Sequence, residues 1–351
     1  MTVTESESES RLGLGYLDGV LTVFGLEIRQ RVRSRGWYVL LAVWFTLVCA
    51  VTALADIAFD EMDFAGQAMY ELVLGFVLFF ALLVVPALSA NSVSGDRAAG
   101  TLAILQNTLL RPGQLLWGKW LAAWVVALGF LAVAVPALAW AVLRGDVHAL
   151  SLPVLVLMVA LELAVMCAVG VGISARSHRP LFAVTATYLI TAFFAVGTLI
   201  GFGLSMQLVA EDVRIPRAYY EGPSEAFPNG RIVCSDTDTR LHTDYRTERI
   251  AWMLAANPFV VVADAAPRSA PDTDRGVLGG ISEAVRTAQS GTISDNACSN
   301  GNPDGTPTRD TAPIWPLGVG IQFVVAAGLL TSGYRRTRTP IGRLPTGMRV
   351  A

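Results

Sequence analysis

Six stretches of the chain are apolar at nearly every position over about 20 residues or more, the length a helix needs to cross a hydrocarbon core. They predict transmembrane helices near 37–58, 68–91, 115–143, 152–175, 181–209 and 314–334. The third and fifth exceed that length and leave room for tilt. Ahead of the first, Leu17, Val20, Leu21, Phe24 and Ile28 recur at helical spacing and Arg29, Arg31, Arg33 and Arg35 follow. This pattern predicts an amphipathic helix over 15–36 lying on an anionic membrane face. The plainer alternative is the basic flank of the first span. Residues 1–14 open with an acidic, Ser-rich run instead of the basic start of a signal peptide, and read as a disordered tail.

Orientation follows from Lys and Arg in the short connections, because these resist translocation while acidic residues count little. The first connection offers Asp56, Asp60, Glu61 and Asp63 with no basic residue, and the third offers only Arg144. The second carries Arg97, Arg111 and Lys119, the fourth Arg176 and Arg179, and a basic tail over 335–351 follows the last span. Six spans with both termini cytoplasmic satisfy this bias. The fold class expected is therefore an all-α polytopic membrane protein with an N-terminal amphipathic elbow helix and a large extracytoplasmic region, 210–313, between spans five and six. Trp37, Trp117, Trp120 and Trp315 fall near span ends, where amphipathic rings favour the interface.

Within 210–313, residues 249–267 hold two short apolar runs divided by Asn257-Pro258. Neither can span, which predicts short helices packed outside or re-entering the bundle. The Gly, Pro, Ser and Asp-rich stretch 291–313 reads as a loop. Cys234 and Cys298 both lie in this region, where disulfides persist, while Cys49 and Cys167 fall within spans. A Cys234–Cys298 bridge is the economical pairing; two free thiols, or a bond to another subunit, are the alternatives.

Composition agrees with a membrane protein and removes other classes. Hydrophobic residues make up 53% of the 351, charged residues 15%, and the net charge is -2 with Lys119 the only lysine. That balance lacks the basic excess needed to neutralise nucleic-acid phosphates. Four scattered cysteines and three distant histidines predict no metal site. Gly113 to Lys119 spells GxxxxGK, but Trp120 stands where a phosphate loop needs Ser or Thr, and the motif leads into a span and not from strand to helix. No GxSxG or HExxH motif or paired-carboxylate constellation accompanies a span. No catalytic residue and no cofactor is therefore expected in this chain.

The stretch from Ala90 to Lys119 carries the most specific signal: Asp96-Arg97, then Gly100-Thr101-Leu102, Leu105, Pro112 and Gly118-Lys119 entering the third span. It resembles the signature of the ABC type-2 transporter permease family. The resemblance extends to the elbow helix, the six spans and the outer segment; Ala98 and Ala103 replace residues that are often acidic in that family, and the outer region is unusually long. It implies a coupling helix near 94–110 with Asp96, Arg97, Gly100, Thr101, Leu102 and Leu105 as ATPase-coupling residues. It further implies a permease subunit of an ABC exporter, not itself an enzyme, with a separate cytoplasmic ATPase carrying ATP and magnesium and a second permease chain, identical or related, beside it. Independently of the family, Ala99, Leu102, Leu105 and Leu109 have the helical spacing of a segment that docks in a partner's groove, or of one buried among lipid headgroups.

Glu162 is the one ionisable residue near the middle of a predicted span. A charge there is costly, so it is expected to face the bundle interior, either lining the translocation path or bonded to a neighbouring span. A membrane-anchored sensor or assembly factor with a ligand-binding outer region is the alternative function, and a secondary transporter is weakened by the few charges in the spans.

Overall fold

The computed structural model describes residues 15–61, 65–100, 110–144, 150–221, 231–266, 276–291 and 311–337. The chain divides into two compact units, one built from residues up to Phe193 with 266–276 and the segment from Gly320 onward, the other from Phe194–Ala265 and Val277–Val319.

The first unit opens with α1 (Tyr16–Val32), followed by α2 (Arg35–Phe59), α3 (Ala65–Ser89), the short α4 (Ser94–Ala98), α5 (Pro112–Leu143), α6 (Ser151–Arg176) and α7 (Pro180–Ala192). A π-helical turn, Phe193–Gly197, leads to α8 (Thr198–Ser205), and α12 (Trp315–Thr337) closes the described chain. Among the described residues six helices are long and apolar enough to cross a membrane. Pro112 and Pro180 open α5 and α7 at the first helical position, where a missing N–H costs nothing.

Of these helices α6 is the most enclosed, 72% of its most apolar stretch being buried against 22% for α2. Small residues let α12 approach it closely: a Cβ on Gly172 would lie 2.8 Å from the Leu329 backbone, and one on Gly333 would lie 3.0 Å from the Gly172 carbonyl. Indole N–H groups tie neighbouring helices by donating to carbonyls, Trp44 to Phe130 (3.0 Å), Trp120 to Ala164 (2.9 Å) and Trp124 to Ala160 (2.9 Å). Trp120 is thus partly a packing residue and not only an interfacial one.

Arg144, after α5, bonds Asp56 (2.6 Å) and Asp60 (2.5 Å) at the end of α2. Arg97, Arg176 and Arg336 are neighbours, Arg336 donating to the Arg176 carbonyl (2.6 Å) and Arg176 to Ser332 (2.6 Å).

The second unit departs from the all-α expectation. It contains an antiparallel ribbon, β1 (Ala210–Glu221) paired with β2 (Arg231–Tyr245). Val213, Ile215 and Tyr219 in one strand and Ile232, Val233 and the Thr-rich run to Tyr245 in the other are β-branched or aromatic, and the interleaved charges hide them from a hydropathy reading. The ladder runs from Ala210↔Tyr245 to Pro216↔Thr239, shifts register, and resumes from Ala218↔Cys234 to Glu221↔Arg231. Arg249 bonds Glu211 (2.7 Å) at its base, and together with Arg246 holds the Glu211 carboxyl below the usual range.

Beyond the ribbon come α9 (Trp252–Ala255), α10 (Pro258–Ala265) and α11 (Val277–Ser290). The first two are the short helices expected either side of Asn257-Pro258. Asn257, fully buried, caps α10 by accepting from the Phe259 N–H (2.9 Å), and donates to the Ala195 carbonyl in the π turn (2.8 Å) and to Thr198 (3.0 Å). Leu254, Ala255, Val260, Val285 and Ile314 pack as one core. Asp264 organises this core with its side chain fully enclosed: one oxygen accepts from Arg286 (2.7 Å), the other from the N–H groups of Ile314 (2.6 Å) and Trp315 (3.1 Å) at the start of α12. Cys298 lies outside the described residues, as does the side chain of Cys234.

Candidate functional site

Of the segment 94–110 expected to hold a coupling helix, residues 94–100 and Leu110 are described. A short helix runs from Ser94 to Ala98, and Gly100 after it has a φ of 72°, in the left-handed region that ends a helix. Thr101, Leu102 and Leu105 lie outside the described residues. The start of α4 is held from α6, because the buried Ser174 hydroxyl accepts from the N–H groups of Val93 and Ser94 (both 3.0 Å) and lies 3.1 Å from the Ser94 hydroxyl.

Asp96 and Arg97, adjacent in sequence, diverge. Asp96 bonds Lys119 of α5 (2.7 Å), and Lys119 also bonds Glu27 of α1. Arg97 donates to the carbonyls of Ser177 (2.5 Å) and Ala175 (3.2 Å), which end α6. A helix C-terminus carries partial negative charge on its unpaired carbonyls, so a guanidinium suits that place. Nearby, burial and the cations Arg97 and Arg336 hold the His178 imidazole below its ordinary pKa, which keeps it neutral at pH 7.

Lys119 is the centre of this arrangement. Its side chain is 2% exposed, and the two carboxylates are the counter-ions that a lysine in this place requires. The preceding glycine explains why α1 can reach it. A Cβ on Gly118 would sit 2.7 Å from Val23 and 2.9 Å from the Val20 carbonyl, so α1 crosses α5 in near-contact. One turn earlier Gln114 donates to the carbonyls of Gly15 and Tyr16 (both 3.2 Å) and accepts from the Arg111 N–H (2.7 Å). Val23, Val93, Leu115, Leu116, Val171 and Ala175 pack together beside these polar contacts. One face of α1 packs on α5, with Gly19, Val20 and Val23 buried, while Leu17 and Leu21 stay exposed. Gly113 to Lys119 is helical throughout, so it has no phosphate-cradling loop.

Glu27, Ser174 and Gln114 were not singled out from the sequence. Glu27 had a signal, lying with Val20 and Val23 at i, i+3 and i+7 on one face of α1. Ser174 had none, since a serine near the end of an apolar helix is unremarkable.

Glu162 lies elsewhere, 1% exposed in α6, with neither carboxyl oxygen hydrogen-bonded at normal distance. Gln322 of α12 is the polar side chain that faces it. Among the described residues no group of three metal-ligating side chains comes together.

A polytopic helical membrane protein results, with a buried ionic network joining a short inter-span helix to an N-terminal amphipathic helix and two spans. The family model of the ABC-2 family transporter proteins matches residues 21–246, most of the chain, and the chain belongs to that family. No curated protein matches it.

Proposed function

We propose that this chain is the membrane-spanning subunit of an ABC exporter, driven by a separate cytoplasmic ATPase that binds α4 and the residues after it, with a second permease chain completing the path. Both termini and the Asp96 network then face the ATPase, and the ribbon unit faces outward, as the distribution of Lys and Arg favours. The observation that carries the reading is the divergence of Asp96 and Arg97: a push on α4 is delivered to α1 and α5 through Lys119 and to α6 through its terminal carbonyls. ATP hydrolysis is expected only when a separate ATPase subunit co-purifies with this chain. In that complex Asp96→Lys, Arg97→Glu or Gly100→Val should cut transport at least about tenfold, with hydrolysis persisting and insertion intact. ATPase activity in the isolated chain, or wild-type transport in all three variants, refutes the reading.

Glu162 supplies the polar point of the path in this proposal. Glu162→Gln keeps the shape and removes the titratable group, so it should lower transport and substrate-stimulated hydrolysis between pH 6 and 8. Wild-type rates across that range assign Glu162 to packing alone.

The Cys234–Cys298 bridge belongs to the same proposal, because the outward compartment is oxidising. It closes a loop worth nominally about 4 kcal/mol in the chain-entropy model. Mass spectrometry of non-reduced peptides should find the two joined, and finding both thiols free excludes the bridge.

A further inference from the structure

A groove of about 320 Å³ opens between the start of α1, the start of α5 and the end of α12. Its polar groups gather at one end. Arg111, which precedes α5, lines that end and is exposed. A Cβ on Gly113 would lie 2.9 Å from the Tyr16 hydroxyl oxygen and 3.5 Å from the Tyr334 ring, so both phenols stand over the same turn of α5. Farther along α5 the wall becomes apolar. Trp117, 47% exposed, stands edge-on to Trp120 with 5.2 Å between ring centroids, and Trp120 is fixed by stacking on Trp124 (5.7 Å) and by its bond to the Ala164 carbonyl. Leu330 of α12 completes this part. Among the described residues no acidic side chain lines the groove, and Arg111 takes part in none of the ion pairs.

The order of these groups along the span selects the occupant. From Arg111 to Trp120 the helix climbs about 13 Å, from the end of a membrane span into it. A reachable cation at the outer end, then indole rings and an aliphatic side chain deeper in, repeats the order of charge and hydrocarbon in a phospholipid of the adjoining leaflet. An acidic peptide matches the cation alone, because its main-chain polar groups have no partners along the apolar wall.

We propose that this groove binds an anionic phospholipid, its phosphate on the Arg111 guanidinium beside the Tyr16 hydroxyl and one acyl chain along Trp117, Trp120 and Leu330. The lining offers no carboxylate to the ammonium of a zwitterionic headgroup, and Arg111 opposes a trimethylammonium that could otherwise rest on the aromatic rings. A lipid seated there ties the start of α1 to the end of α12. The inference concerns binding by this chain alone, so its failure leaves the coupling proposal standing.

The full-length chain in detergent can be titrated with phosphatidylglycerol and phosphatidylcholine carrying brominated acyl chains, which quench tryptophan on contact, and with glycerol phosphate as a headgroup without chains. Native mass spectrometry counts the bound lipid. Phosphatidylglycerol should bind at least about tenfold more tightly than phosphatidylcholine. Arg111→Gln should remove that preference and Arg111→Lys should keep most of it, with unchanged size-exclusion profiles confirming the fold. Trp117→Phe should lose much of the saturable quenching and keep the bound-lipid mass. Equal binding of the two lipids, an undiminished preference in Arg111→Gln, or unchanged quenching in Trp117→Phe overturns the proposal. Displacement by glycerol phosphate at similar concentration also overturns it, showing a phosphate site in place of a lipid site. So does phosphatidylglycerol binding that begins only when residues 1–14 are deleted, which assigns the groove to the acidic run from Glu5 to Ser10.

Discussion

Replacing Glu27 by Gln and Asp96 by Asn together should destabilise the protein by roughly 3–5 kcal/mol, the cost of stranding a buried cation. Either change alone should cost much less, because Lys119 bonds both carboxylates and keeps one partner. Adding Lys119→Met to the double variant should return much of the lost stability, since an apolar chain of similar length needs no counter-ion. The midpoint of thermal unfolding in detergent across these variants measures the non-additivity. If the two single changes simply sum, or the methionine restores nothing, Lys119 does not depend on both acids. The rescued triple variant also separates structure from function: it should fold and still transport poorly, because α4 has lost its ionic tie to α5.

Asp264 is the second position where a single atom group holds several elements. Asp264→Ala removes the partner of Arg286 and the oxygen that accepts from two N–H groups at the start of α12, and should cost roughly 3–5 kcal/mol, seen as low yield of monodisperse protein and an earlier thermal transition. Asp264→Asn keeps an acceptor for the N–H groups and loses the charge, so it should fall between wild type and Ala. Arg286→Met leaves Asp264 two backbone donors and should be milder than Asp264→Ala. An alanine variant as stable as wild type would show that the enclosed carboxylate contributes nothing net.

The spans were legible because lipid demands long apolar helices whatever their neighbours, and each apolar stretch matches a helix to within three residues at either end, the fifth matching the composite span Pro180–Val209. The positions of Asp96, Arg97 and Gly100 were legible through a motif, but their partners were not. Charge pattern alone gives no reason for two adjacent residues to bond in opposite directions, and Ser174 and Glu27 acquire their roles only when α6 and α1 arrive beside α4 and α5. The ribbon was missed because its strands carry charged and polar residues between the β-branched and aromatic ones, so no hydrophobic run marks them. The amphipathic α11 was hidden for a related reason: Leu278, Val285 and Ala288 form a narrow buried stripe between charged neighbours.

The ribbon carries a hazard of its own. Each strand has one neighbour among the described residues, so two rows of main-chain donors and acceptors face outward, the template on which chains stack into aggregates. The register shift after Pro216 divides the ladder into a longer and a shorter piece, and the proline itself offers no N–H to an incoming strand. Copies crowded side by side in a membrane therefore meet an interrupted edge, and straightening it, by Pro216→Val with residues 235–237 deleted to realign the register, would turn a solitary hairpin into a seed for self-association.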